Sequence, residues 1–450
     1  MLIEFRIGNF RSFDEPQTFS LVASADTRHL DNCHPFRKLQ LLKSAAIFGA
    51  NASGKSNLIK AIAFMRQFVL FSATTMNVGD EIRLVPFHLN PDSRGKPSFF
   101  EAAFVVQEVR YQYGFTATSR RVQDEWLIAY PKGRPQHLIE RRLDAERGQT
   151  TWAFRGELQK EGTLLKERTR DNGLILSRGA ELNIAPLTTL LLWFRQKMSV
   201  LDLSASPAWL IDQTARRLKE DVPFRERVLR LLRHADLGIS DLEASEEQRG
   251  AFSGSAPAMG GGGHLPFSPV IASNLPWVSA SVPAGLVNGV VSTTASHTIR
   301  SIHQSPDGEA IRFDFLEAES NGTQRFLALA GPWLDALDQG GALVIDELDC
   351  SMHPTLTRKL VELFQTRDAN RSGAQLVFST HDSTLMDLEL LRRDQIWIAE
   401  KDRSGASRLS SLYDFEEKPR NNEAVQRRYL AGHYGGVPVF GPTFEDLELK

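Results

Sequence analysis

The feature that most constrains this chain is the run Gly49-Ala50-Asn51-Ala52-Ser53-Gly54-Lys55-Ser56, set between an apolar stretch and a helical pattern. Upstream, residues 44–48 (SAAIF) read as a short buried strand. Downstream, Leu58, Ile59, Ile62, Met65, Phe68 and Val69 recur at helical spacing, so 55–70 is expected to form an amphipathic helix. The run fits G-x4-G-K-[ST]. Glycines let the backbone turn so that successive N–H groups point inward, and such a nest at a helix start attracts phosphate. In that setting Lys55 neutralises phosphate charge and the Ser56 hydroxyl is a ligand for Mg²⁺.

Three later stretches complete the pattern. Ala342-Leu343-Val344-Ile345-Asp346-Glu347 is an apolar strand ending in two carboxylates. Asp346 is placed to hold Mg²⁺, directly or through water, and Glu347 is left to polarise an attacking water. Ser320-Asn321-Gly322-Thr323-Gln324 precedes a helix expected over 325–337. Its hydroxyl, its glycine amide and the helix start together make an anion site. Ser379-Thr380-His381-Asp382 follows the apolar run AQLVF, where a histidine at the carboxyl end of a strand can hydrogen-bond a γ-phosphate.

Around these motifs the patterning changes several times. Residues 2–7 alternate like an edge strand, and 98–141 alternate with period two in three runs, which predicts an antiparallel meander. From about 155 to 235 the pattern is helical, and 245–290 fills with Gly, Ser, Ala and Pro as a long loop would. A strand–helix alternation resumes near 311: IRFDFLE, a helix through FLALAGPWLDAL, the strand ALVID, a helix near 355–367 and a strand at 374–379. That rhythm predicts a mostly parallel sheet. A chain of 450 residues exceeds one compact core. The expected division is 1–155, an insertion 156–310, 311–415, and a tail 416–450.

Composition narrows the partners. The net charge is −2, so any nucleic-acid surface must be a local patch. The best candidate is 215–234, where Arg216, Arg217, Lys219, Arg225, Arg227, Arg230 and Arg233 outnumber Glu220, Asp221 and Glu226. Two cysteines, Cys33 and Cys350, suit a reducing compartment and make no disulfide framework. The first residues lack a signal pattern, and no apolar run nears the roughly 18–20 residues that span a bilayer. A cytoplasmic protein with no membrane partner is expected.

The matching stretches IEFRIGNFRSF (3–13), GANASGKSNL (49–58), ESNGTQRF (319–326), ALVIDELDCSMHP (342–354) and FSTHD (378–382) resemble the ABC/SMC-type ATPases, the group of RecF and the OLD proteins. More closely, the chain is similar to bacterial AAA-family ATPases of the abortive-infection type. RRDQIWIAEKDRSGASRLSSL (392–412) and YLAGHYGGVP (429–438) share that likeness.

The resemblance implies an α/β fold: a P-loop NTPase of ABC-ATPase type, with a parallel-sheet core, an antiparallel β-subdomain and a helical insertion. It implies ATP and Mg²⁺, and a homodimer closed head to tail. Each nucleotide would lie between one subunit's loop, from Gly49 through Asn57, and the other's Ser320, Gly322 and Gln324. Asp349 matches the loop that crosses the dimer seam, and Arg11 matches a basic residue that approaches the phosphates. A Q-loop glutamine is not evident among Gln107, Gln112 and Gln123, and Pro86-Phe87-His88-Leu89 occupies a neighbouring stretch.

What remains after Asp382 is too short for the nuclease domain of OLD proteins, so a separately encoded, nuclease-like effector is expected. Three functions stay open. They are the sensor ATPase of a phage-defence system, a RecF-like repair ATPase on DNA, and a scaffold that uses nucleotide only for assembly.

Overall fold

The computed structural model describes residues 1–144, 146–203, 208–247, 296–415 and 425–438. The Gly/Ser/Pro-rich stretch expected at 245–290 therefore lies, from 248 onward, outside the described residues, as do 416–424 and 439–450 of the tail. Contacts divide the chain into two compact units: Met1–Val200 with Ala336–Asp349 and Thr357–Lys450, and Leu201–Asp335 with Cys350–Leu356.

The first unit carries both large sheets. A six-stranded sheet runs in the order Met198–Asp202, Ala342–Asp346, Gln375–Ser379, Ser44–Phe48, Ile396–Lys401, Ser407–Ser411. From Ala342–Asp346 through Ile396–Lys401 neighbouring strands are parallel, and Ser407–Ser411 returns antiparallel at one edge. Every residue of Ser44–Phe48, Ala342–Asp346 and Gln375–Ser379 is buried. This is why they read as continuous apolar runs rather than alternating ones. The parallel-sheet core of a P-loop NTPase is thus in place.

A seven-stranded antiparallel sheet runs Gln149–Phe154, Gln136–Asp144, Val122–Tyr130, Val109–Ala117, Ser98–Val106, Leu2–Gly8, Gln17–Ser20. The strand expected at the edge over 2–7 is interior: Leu2–Gly8 pairs with Gln17–Ser20 on one side and Ser98–Val106 on the other. Its inward residues Leu2, Phe5 and Ile7 are fully buried, so alternation here marked a two-sided environment rather than a free edge.

The helix Lys55–Phe71 packs its buried face on this sheet. Phe64 lies 4.9 Å from Phe100 and Phe68 5.4 Å from Phe115, ring centre to ring centre. Phe104 stacks on Trp193 of the helix Ala185–Gln196 at 4.1 Å. These contacts fix the direction in which the helix after the glycine loop points.

Gln375 ties the two sheets together. Its side-chain oxygen accepts the Leu2 N–H at 2.6 Å, and its amide donates to Leu2 O (2.9 Å) and Leu42 O (3.1 Å). Gln375→Leu leaves these buried backbone groups without partners. The expected loss of stability is about 2–4 kcal/mol, read from the urea midpoint at unchanged slope.

The second unit contains the helices Ala208–Glu220 and Val222–His234 and a three-stranded antiparallel sheet, Asp241–Glu247, Ser296–Gln304, Ala310–Asp314. Leu210, Ile211, Leu218, Val228, Leu232, Leu242, Ile299 and Ile302 are buried in it. IRFDFLE, expected to open the parallel alternation, belongs instead to this small sheet and stops at Asp314. The Asp314 carboxylate accepts from the N–H groups of Leu316 and Glu317 and starts a short helix there.

Candidate functional site

The strand Ser44–Phe48 delivers the chain into the glycine loop, and the helix Lys55–Phe71 leaves it. Gly54 is the residue before the helix, at φ +114°. A β-carbon there would fall 2.2 Å from Ser407 Oγ, so the position demands glycine for its angle and for its space. No side chain caps this helix start, which leaves its first N–H groups directed into the loop. Ala52, at the crest of the loop, also holds a left-handed angle, φ +62°.

Lys55 is 4% exposed and donates to Gly49 O (2.7 Å) and Ala50 O (3.1 Å). Burial pushes its ammonium below the ordinary lysine value, while the carboxylates of Asp346, Asp349 and Glu347 pull it back up. Ser56 Oγ donates to Asp346 Oδ1 at 3.2 Å, and Ser379 Oγ donates to the same oxygen at 2.5 Å. Ser379 also accepts the Glu347 N–H at 2.8 Å. Glu347 therefore sits beside Asp346 with its backbone pinned, in a left-handed conformation (φ +55°) that costs an ordinary residue of order 1–3 kcal/mol. His381 is exposed on the next parallel strand's loop, and its N–H is shared by both oxygens of Asp349 at 3.2 Å.

Three serines to which sequence reasoning gave no role hold this arrangement. Ser379 is one. Ser407 Oγ, from the edge strand, donates to Ser53 O and is hydrogen-bonded with Ser12 Oγ, from which it accepts, at 2.7 Å each, and its N–H donates to Ser12 O at 2.6 Å. Ser12 in turn accepts from Asn57 Nδ2 at 2.8 Å. Arg11, exposed and at φ +51°, is carried beside the loop by its neighbour Ser12, and its N–H donates to Val85 O at 2.7 Å. The stretch Pro86–Leu89 follows directly, with the Phe87 N–H donating to Asn9 Oδ1 at 3.0 Å. Gln112 is spent within the meander, donating to Glu101 and accepting from Tyr130. No signal in the serines themselves could have found Ser379 or Ser407, because each reaches the loop only through strand order.

The donor set fits the expected ligands. A serine hydroxyl and a carboxylate are hard oxygen ligands, the kind that hold Mg²⁺ alongside phosphate oxygens. Ser53 Oγ, inside the loop, is buried without a hydrogen-bond partner among the described residues, as expected of a group kept for a ligand.

In the second unit, Ser320 Oγ accepts the Thr323 N–H at 3.2 Å and starts the helix Asn321–Gln339. Gly322 lies against the backbone of Ser351, where a β-carbon would come within 2.5 Å of the Ser351 carbonyl oxygen. Gln324 Nε2 donates to Leu316 O (2.9 Å) and Glu319 O (3.0 Å). The basic stretch 215–234 is partly neutralised within this unit. Arg217 pairs with Asp335, Lys219 with Glu246 and Arg225 with Asp241 at 2.6–2.8 Å, and Arg233 donates to Ser240 O. Arg216 and Arg230 are exposed with no ion pair among the described residues. Three of the basic side chains are thus paired with carboxylates, while Arg233 bonds a neutral carbonyl and keeps its charge. No helix among the described residues is long and apolar enough to cross a membrane.

No protein of curated function matches the chain. Among solved structures, the SMC head bound to the C-winged helix domain of ScpA is 14% identical with a TM-score of 0.42, covering 91% of this chain and 97% of that one. The SMC head domain from Thermotoga maritima is 14% identical with a TM-score of 0.37, covering 91% of this chain and 98% of that one. Residues 44–387 match the family described as "AAA domain, putative AbiEii toxin, Type IV TA system". That match runs from the first residue of the strand before the glycine loop to beyond the histidine turn, and with it the chain belongs to this AAA-domain family, whose members are generally ATPases.

Proposed function

We propose that this chain binds ATP with Mg²⁺ and hydrolyses it as a head-to-tail dimer. It would serve in the cytoplasm as the sensor or regulatory component of an anti-phage abortive-infection system whose effector is a separate protein. The observation that carries the catalytic part is the junction of Ser56, Asp346, Ser379 and Glu347, within 3.2 Å hydrogen bonds of one another along the chain of contacts. The abortive-infection part is supported by the AbiEii description of the family.

In this reading the loop amides from Gly49 to Ser56, with Asn51, Ala52, Ser53 and Asn57 around them, bind and orient the phosphates. Lys55 exchanges its two carbonyl partners for phosphate oxygens, a change from neutral to charge-assisted bonds. Ser56 and Asp346 hold Mg²⁺, which supplies charge neutralisation at the phosphates. Glu347 takes a proton from the attacking water, and His381 bonds the terminal phosphate. Arg11 adds positive charge at the rim. Ser320, Gly322 and Gln324 of a second copy close over the nucleotide, with Asp349 at the seam. Phosphate contacts then hold the two copies together until hydrolysis removes them. The domain division proposed is an ATPase head made of 1–155 and 311–415, to which the helix Ala185–Gln196 and the strand Met198–Asp202 of the intervening 156–310 also contribute, followed by a tail.

Ser320→Arg tests the dimeric site. It is expected to leave ATP affinity within about twofold while lowering turnover about 100-fold, because one subunit's binding groups stay intact and only the closing surface is blocked. Equal turnover would count against the assignment. The biological role is tested by expressing the chain with its neighbouring gene and challenging with phage. Protection that needs both genes and Lys55 is expected. DNA-stimulated hydrolysis without protection would favour a RecF-like ATPase instead.

A further inference from the structure

The short helix Val425–Leu430 and the turn after it lie in the first unit and touch the nucleotide site at two places. The Tyr429 ring packs edge-on against Phe48, the residue before Gly49, at 6.3 Å. Its hydroxyl donates to Gly436 O at 2.9 Å. Gly436, at φ +68°, is pressed so close to the strand and loop that a β-carbon there would stand 2.6 Å from Ile398 Cγ2, 3.3 Å from Ala399 O and 3.5 Å from Gly49 Cα. Three residues before Tyr429, Gln426 Nε2 donates to Ser383 Oγ at 3.0 Å. Ser383 begins the 3-10 turn Ser383–Leu385 that follows His381 and Asp382.

One short element therefore contacts the root of the phosphate loop with one side chain and the histidine turn with another. Past the strand ends, where the Thr380 N–H donates to Ile47 O at 3.1 Å, both loops leave the sheet as irregular chain. We propose that residues 425–438 form a positioning element for the nucleotide site: Tyr429 with Gly436 fixes the loop at Gly49, and Gln426 fixes the His381–Ser383 turn, so that the tail sets the separation of the two. Tyr429 and Gln426 are positioning residues and touch no reacting atom. The proposal rests on the ATPase reading above.

The experiment uses the full chain, a fluorescent ATP analogue for affinity and steady-state ATPase kinetics. Tyr429→Phe, which keeps the ring and removes the hydroxyl, is expected to weaken ATP binding about 5–10-fold with kcat within about twofold. Gln426→Ala is expected to do the reverse, leaving affinity within about twofold and lowering kcat about 5-fold. Ser383→Ala should match Gln426→Ala, and the double variant should be no slower than either, since both remove one bond. A merely structural role would lower the melting temperature of these variants and leave the split between KM and kcat unmoved. Wild-type affinity in Tyr429→Phe, or additive losses in the Gln426 and Ser383 pair, would overturn the proposal. A wild type that binds ATP without turnover leaves Tyr429→Phe to decide. If the wild type binds no nucleotide, the ATPase reading and this inference fall together. If it binds and Lys55→Ala abolishes binding while the tail variants behave as wild type, the inference alone falls.

Discussion

Lys55→Ala is expected to weaken ATP binding by about 10²–10³-fold. The lysine is buried to 4% exposure, with its ammonium aimed at the carbonyls of Gly49 and Ala50, the mouth of the loop. A triphosphate in the loop replaces those neutral acceptors with charged ones, and each charge-assisted bond of this kind contributes roughly 1.5–3 kcal/mol. Two such bonds account for the expected loss. Three carboxylates, Asp346, Asp349 and Glu347, act on the same lysine. Removing its charge leaves the site net negative toward a polyanion, which adds to the effect in the same direction. Isothermal titration checks the affinity, and a melting curve within a few degrees of wild type separates loss of binding from loss of fold. Undiminished affinity in a folded variant would remove the phosphate-loop assignment.

Glu347→Gln should separate binding from turnover. The substitution is nearly isosteric, and the contacts that hold this corner belong to other groups. Ser56 and Ser379 both bond Asp346, and the Glu347 backbone rather than its side chain bonds Ser379. The Mg²⁺ ligands and the left-handed backbone at 347 therefore survive. The only group lost is the carboxylate that accepts a proton, so kcat should fall about 10²–10⁴-fold with affinity unchanged or tighter. With hydrolysis blocked, the ATP-bound form accumulates, and gel filtration with ATP should give twice the monomer mass. A variant that turns over within threefold of wild type would show that another group activates water. One that stays monomeric with ATP would count against the closed dimer.

Much of the first prediction could be made from the chain alone, and much of the second could not. The loop from Gly49 to Ser56 is contiguous. Its turn, its helix start and its lysine are local consequences of residue type, and they lie where the spacing places them. Asp346 was marked by a local pattern too, an apolar run ending in carboxylates. Its partnership with Ser56 depends on Gln375–Ser379 lying between Ala342–Asp346 and Ser44–Phe48 in the parallel sheet. Strand order is a property of the whole core, invisible to any window of sequence.

The errors share the same physics. Residues 2–7 looked like an edge because alternation reports two different faces and says nothing of lateral neighbours. The strand in fact has one on each side. The stretch 215–234 looked more cationic than it is, because counting charges along a helix ignores what folds against it. Asp335, Asp241 and Glu246 come from elsewhere in the chain to meet Arg217, Arg225 and Lys219.

The sequence by itself determined the kind of chemistry, because phosphate and metal recognition need particular side chains at fixed short intervals along one backbone. Only the tertiary structure decided which residues serve those groups from outside the motifs. The roles of Ser379, Ser407, Tyr429 and Gln426 follow from no local spacing, although the first three lie in stretches that the family likeness marks. A hydroxyl or an amide becomes a positioning group only when burial and strand order bring it within about 3 Å of a group that lies 32, 43 or 354 residues away along the chain.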